Sequence, residues 1–339
     1  MKKTLHYLRP AATIGSLALF AYVLRRAGVA TILDSARALG AGFAWLILLS
    51  GLRHALRTAG WHASIEPGTP RPALLTLFGL RLLGEGLNVA TPAGPLLGES
   101  AKVWTASRWM PASSSASSVL IENLIYGLAA GLFVLSGAII VVVAISPHMF
   151  RESWVVIACL LASLLVTWTL LRRGTPSIAR LLDCLPPGSR VTRFLEPYKT
   201  QIESVEAEVY RFFRARRAAF LGILGLELLT NFTGLAEAYL VLKVTTPHAS
   251  LLTCYLVEAT NRLVQLFLPF VPLGLGVEEG AAAGTLKSLG YSVSQGVALA
   301  VLRRARTVFW SGLGLLLAAH YLGSRSPLRE GAQYEAAHS

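Results

Sequence analysis

Residues 92–100, PAGPLLGES, and residues 272–280, PLGLGVEEG, share one frame: Pro92 aligns with Pro272, Gly94 with Gly274 and Glu99 with Glu279. Proline removes a backbone donor, and glycine admits close approach and unusual dihedrals. Each copy therefore suits a place where one half-helix ends and another begins. The N-terminus of a half-helix offers free N–H groups and partial positive charge, which favour an anionic group. A carboxylate just beyond it, Glu99 or Glu279, suits a cation or a proton. The same residues also fit a plainer role, in which Pro and Gly shape a tight turn and the glutamates cap helix N-termini.

Further charges stand inside apolar runs. Arg81 and Glu85 lie four apart upstream of the first motif, and Glu258 and Arg262 lie four apart upstream of the second, in reversed order. Each spacing permits a pair on one helix face. Glu122, with Asn123, opens a long apolar run, and Arg303, Arg304 and Arg306 sit within about a turn of one another in the last run. A charge at the bilayer centre costs ~2.5–3.5 kcal/mol on insertion scales, so such residues face a partner or water. Ion pairs that lock helices together are one outcome. At Arg303–Arg306 the positive charges outnumber the local carboxylates, and an anion-facing role is expected, above all for Arg303 and Arg306. Glu227 and Glu237 receive no role. The seven histidines stand singly, and the Ser-rich stretch at 111–118 reads as a linker. Cys159, Cys184 and Cys254 are scattered, as small buried hydrophobes are, without the spacing of a disulfide framework or metal site. No catalytic constellation, cofactor or metal is expected.

The elements that position these residues follow from bulk composition. Of 339 residues, 54% are hydrophobic and 14% charged, where a soluble domain carries roughly 25% charged residues. With apolar runs of spanning length, that predicts an all-α, polytopic membrane helix bundle. The net charge of +13 then marks cytoplasmic loops and anionic lipid rather than nucleic acid. Spans are expected at about 10–24, 38–56, 119–146, 153–171, 218–242, 249–268 and 295–322. The first resembles a signal peptide, but Arg25 and Arg26 follow it directly, so an uncleaved span is expected. Positive charge places the N-terminus, Arg57, Arg71, Lys102, Arg108, the segment 172–217 and a short tail at 323–339 in the cytoplasm. In the second half of 172–217, Ile202, Val205, Val209 and Phe212 share one face. That fits a helix lying on the membrane surface, or a solvated connecting helix.

Residues 72–100 must then enter and leave on one side. At ~1.5 Å per residue they are too short for two crossings of a ~30 Å core, but long enough for a re-entrant hairpin of two short helices. Residues 249–290 form a second such hairpin entering from the opposite side. The pair predicts two re-entrant hairpins in inverted repeats, inside one integral membrane domain at 1–322.

At these motifs the chain resembles the flippase-like family typified by the transmembrane region of lysylphosphatidylglycerol synthase. The resemblance covers about residues 10–322. It rests on Pro92, Gly94 and Glu99, on the amphipathic segment before 217 and above all on PLGLGVEEG, which is similar to the family's PGGLGVxEG. Leu273 stands where the family has its first glycine. The soluble aminoacyl-transferase domain of the synthases has no counterpart, so the resemblance implies lipid translocation without lipid aminoacylation. Stand-alone members include hopanoid-associated proteins. The expected function is thus an inner-membrane lipid transporter with cytoplasmic termini and a central charged cavity. Its partner would be a phospholipid, hopanoid or polyprenyl lipid, and homo-oligomerisation is left open. Arg81, Arg262, Arg303 and Arg306 would receive the headgroup, and Glu99 and Glu279 a cation or proton, with Glu85, Glu122 and Glu258 in the same charged set. A membrane-embedded enzyme on isoprenoid or phospholipid substrates and a non-transporting assembly protein are the alternatives.

Overall fold

The computed structural model describes residues 37, 39–90, 94–142, 157–158, 161–162, 165, 169, 196–245, 248–268, 271 and 276–323. The expected spans at 10–24 and, for the most part, 153–171 lie outside these residues. So do Pro92, Pro272, Gly274 and most of the tail. Within the described residues the fold is all-α: α1 (Ala41–Ser64), α2 (Leu74–Ala90), α3 (Gly94–Ala106), α4 (Ala112–Ile140), α5 (Lys199–Ala215), α6 (Arg217–Thr245), α7 (Leu251–Phe267), α8 (Val277–Ser288) and α9 (Val293–Gly323).

Helix length divides these elements into two kinds. α1, α4, α6 and α9 have 24, 29, 29 and 31 residues, about 36–46 Å at ~1.5 Å per residue. α2, α3, α7 and α8 have 17, 13, 17 and 12 residues, only about 18–26 Å, short of a ~30 Å hydrocarbon core. α4 and α6 are long and apolar enough to cross a membrane. α1 and α9 have the length but carry arginines that turn inward.

Contacts fix which helix ends lie together. At one end, Arg216 donates to the carbonyls of Ala63, Ser64 and Ile65 at 2.9, 3.2 and 3.1 Å. Ser115 Oγ donates to the Val103 carbonyl at 2.8 Å, and Trp109 packs edge-on against Tyr321. This end therefore gathers the C-termini of α1, α3 and α9 with the N-termini of α4 and α6. At the other end, Leu39, Leu242, Cys254, Leu286 and Leu299 form one cluster, and Tyr291 Oη reaches the His248 carbonyl. It gathers the start of α1, the end of α6, the start of α7, the end of α8 and the start of α9.

The short helices thus form two hairpins rooted at opposite ends. In the first, α2 and α3 run antiparallel: a Cβ on Gly94 would overlap the Asn88 carbonyl, and one on Gly98 the Gly84 carbonyl. Glycine is required there because backbone meets backbone. Gly314 plays the same part between α9 and α2, where a Cβ would overlap the Leu82 carbonyl. In the second, α7 packs on α8 across the break at 268–276, and α8 starts after Gly276 at φ 79°, a left-handed conformation that favours glycine.

Two elements differ from expectation. The Ser-rich stretch is not a linker but the first two turns of α4, after Pro111. Its hydroxyls are satisfied in place: Ser118 Oγ accepts from Trp61 Nε1 at 3.1 Å, and the Ser118 carbonyl accepts from Ser64 Oγ at 2.9 Å. The apolar face of α5 is turned to the bundle at its C-terminal half. Val209 and Phe212 are buried against Ile121, Ile125 and Ile223, and Ser117 Oγ donates to Glu208 at 2.5 Å.

Candidate functional site

Charges buried in an apolar bundle persist only when paired and hydrogen-bonded. Here the pairing takes one form three times: a buried carboxylate between two arginines. On α4, Glu122 is 0% exposed. One of its oxygens accepts from Arg57 Nε and Nη2 at 2.9 and 2.7 Å, and Arg81 Nη2 lies 3.0 Å away. On α7, Glu258 pairs with Arg262 one turn on at 3.0 Å, and with Arg303 from α9. On α6, Glu237 accepts from Arg306 Nη1 at 2.7 Å, with Arg53 Nη2 at 3.7 Å. Six helices contribute to the three triads.

Between the triads lies a cavity of about 320 Å³. Its lining includes Arg53, His54 and Arg57 from α1, Arg81 and Glu85 from α2, Glu99 and Lys102 from α3, Arg262 from α7, Glu278 from α8 and Arg306 from α9. Six cations and three carboxylates thus face it, while Glu122, Glu237 and Glu258 stand behind. The carboxylates orient the guanidinium groups from the protein side, and planar forks turned to a cavity suit an oxyanion. Lys102 Nζ pairs with Glu99 at 2.6 Å, and Asn123 Nδ2 donates to the same carboxylate at 2.6 Å. Arg57 also lies 3.9 Å above the Tyr126 ring. One edge of the cavity is apolar: Val89 and Pro95 flank the first hairpin break, and Leu268, Val271 and Val277 the second. The described residues that flank the two hairpin breaks therefore meet at the polar cavity.

The model of the family described as "Lysylphosphatidylglycerol synthase TM region" matches residues 10–314. The chain belongs to this family. It is a membrane protein of a family connected with lipid handling, and the sequence resemblance is thereby established across nearly the whole chain. No curated protein and no solved structure matches it.

In this member of the lysylphosphatidylglycerol synthase transmembrane family, the structure sorts the sequence-derived residues. Arg81, Glu85, Glu99, Arg262 and Arg306 line the cavity. Glu122 and Glu258 hold the cavity arginines from behind. Gly94 starts α3 in backbone contact with Asn88. Two expectations, on Arg303 and on the charge of its group, are corrected, and two open alternatives, on Arg81 with Glu85 and on Glu279, are decided. Arg81 and Glu85 do not pair, because Glu122 on α4 captures Arg81. Arg303 does not face the cavity: it is buried against Glu258 and the Gly234 carbonyl. Each arginine of the Arg303–Arg306 group has a carboxylate partner, since Arg303 pairs with Glu258, Arg304 with Glu279 and Arg306 with Glu237. Glu279 is a helix cap, accepting from Gly276 N at 2.9 Å, whereas Glu99 lines the cavity, so the two motif copies have parted in role.

Sequence reasoning missed Arg53, Arg57 and Lys102. The first two stand at i,i+4 in GLRHALR, but a span expected to stop at 56 made Arg57 a cytoplasmic flank. α1 continues to Ser64 and carries it inside. Lys102 likewise is buried rather than exposed, and its i,i+3 spacing from Glu99 was the available signal. Glu278, beside the capping Glu279, and Gln265 were also missed. They meet across the second hairpin, where Gln265 Nε2 donates to Glu278 at 3.2 Å.

Proposed function

We propose that the protein is a lipid transporter of the inner membrane, a flippase that moves a polar or anionic lipid between leaflets without converting it. The headgroup occupies the arginine-lined cavity while the tails stay in the bilayer. The two hairpins act as re-entrant elements of an inverted repeat, with both termini cytoplasmic. The single observation that carries this reading is the cavity itself, a polar chamber with carboxylate-backed guanidinium groups at the meeting point of two short hairpins. Non-helical backbone at membrane depth is tolerated only when buried in protein or lining such a chamber. Membership of a family connected with lipid handling supports lipid as the cargo.

The test is reconstitution into proteoliposomes carrying a headgroup-labelled anionic phospholipid in one leaflet. Redistribution faster than in protein-free vesicles is the expected result, with the lipid recovered chemically unchanged. Recovery of a modified lipid would favour a membrane-embedded enzyme, and neither redistribution nor conversion would favour an assembly role.

A further inference from the structure

Counted with every carboxylate ionised, the charged network is balanced before any ligand enters. Each of the three triads carries one surplus positive charge, since one carboxylate serves two arginines. Lys102 and Glu99 cancel. The surplus is matched by three further carboxylates: Glu227, 3.6 Å from Arg57; Glu278, bonded to Gln265; and Glu85. An anion brought into this apolar interior therefore adds a net charge where a net charge is costly. A compensating positive charge must enter with it, and it must reach a carboxylate open to the cavity. Glu227 does not line the cavity, and Glu278 already accepts a hydrogen bond. Glu85 lines the cavity and, among the described residues, has neither an ion-pair nor a hydrogen-bond partner.

We propose that binding of an anionic headgroup in this cavity is coupled to uptake of one proton by Glu85. This rests on the headgroup reading of the cavity and adds its coupling ion. The proton comes from bulk water and forms the carboxyl O–H bond of Glu85. It leaves when the headgroup does, so nothing is oxidised or reduced. The groups around Glu85 fit the assignment. Arg81 shares its helix, α1 presents Arg53, His54 and Arg57, and α9 presents Arg306. α3 presents the mutually paired Glu99 and Lys102, and Arg262 and Glu278 stand on α7 and α8. An anion bound in the cavity would face the unpartnered Glu85 carboxylate, a like charge, and a proton on that carboxylate removes the repulsion. His54 is the competing acceptor, but it stands among arginines on the same wall.

Calorimetric titration of the purified full-length protein with dihexanoyl phosphatidylglycerol, in buffers of different ionisation enthalpy, reads the proton count directly. Repeating it from about pH 5 to about pH 8 gives the linkage. Expected are uptake approaching one proton per ligand and an affinity that falls as pH rises, by up to tenfold per pH unit where uptake is full. Glu85→Gln should bind without proton uptake and without that pH dependence, while His54→Gln, whatever its affinity, should still show the buffer-dependent heat. Dihexanoyl phosphatidylcholine, which carries its own positive charge, should bind without net uptake if it binds at all. Wild-type binding of the anionic lipid with no buffer-dependent heat overturns the coupling and leaves the headgroup reading standing. Uptake that persists in Glu85→Gln overturns the assignment to Glu85. Failure of the anionic lipid to bind overturns the headgroup reading and the coupling together.

Discussion

Arg303 and Arg306 stand three residues apart on one helix and serve different ends. Arg303 is closed off from the cavity and neutralises Glu258. Breaking a buried ion pair from one side leaves an uncompensated charge and costs about 3–5 kcal/mol. Arg303→Ala should therefore lower the thermal midpoint strongly, while headgroup affinity measured on the surviving folded fraction stays within about twofold. A loss of affinity with an unchanged midpoint would put Arg303 in the cavity after all. The motif glutamates make a second contrast. Glu279→Gln keeps an acceptor for the Gly276 amide and should cost no more than about 2 kcal/mol, with transport retained. Glu99→Gln alters the lining and strips buried Lys102 of its counter-charge, so lipid redistribution should fall. Equal transport in the two variants would argue against the divergence of the motifs. At this scale the sequence showed which residues are costly to bury, and it showed Glu258 with Arg262 because that pair shares a helix. It could not show that Glu122 reaches Arg57 and Arg81, or that Glu237 reaches Arg306, because those partners lie on other helices and only the packed bundle brings them together.

Helix length and backbone contact decide what each element can be. The hairpins were legible because glycine and proline interrupt apolar runs too short to cross twice, and that constraint needs no knowledge of partners. The serines of α4 were not legible. Ser is neutral in a helix and favoured in loops, and only the facing Trp61, Ser64 and Val103 make it a good core residue here. The same holds for α5, whose apolar stripe fits a membrane surface as well as it fits the groove beside α4 and α6. Two measurements test these contacts. Gly98→Ala should force α3 away from α2, at about 1–3 kcal/mol for overpacking, whereas Gly127→Ala, with open space at the added methyl, should be neutral or stabilising by up to about 1 kcal/mol. Thermal melts of both variants check this, and a similar loss in both would mean that the α2–α3 approach is not close. Arg216→Ala removes a donor shared by three carbonyls at the end of α1. About 1–3 kcal/mol should be lost with the cavity chemistry unchanged.

For the whole molecule, the decisive property is that the two hairpins are rooted at opposite ends and meet in the middle. The four long helices connect those ends. If they span the bilayer, one end of the bundle lies in each aqueous phase, and each hairpin must open toward the phase where it is rooted. The loops then fall into two sets. Residues 65–73, 107–111 and the exposed side of α5 belong with the C-termini of α1 and α9. Residues 248–250 and 289–292 belong with the C-terminus of α6. Among the described residues the basic side chains divide unevenly: Arg71, Arg108, Arg211, Arg214 and Arg217 stand at the first end, and Arg37, Lys243 and Lys287 near the second. By the positive-inside tendency the first end is cytoplasmic. Single cysteines at Gly68, Ser107 and Ser204, in a background without Cys159, Cys184 and Cys254, should therefore react with an impermeant maleimide only after the inner face is opened. Cysteines at His248 and Ser292 should react from outside in intact cells. Should Gly68 and Ser107 react from opposite faces, α2 and α3 would between them cross the membrane, and the first hairpin would not be re-entrant. Should both sets react from one face, the long helices would not span at all, and a cavity between the hairpin tips would have no route from one leaflet to the other.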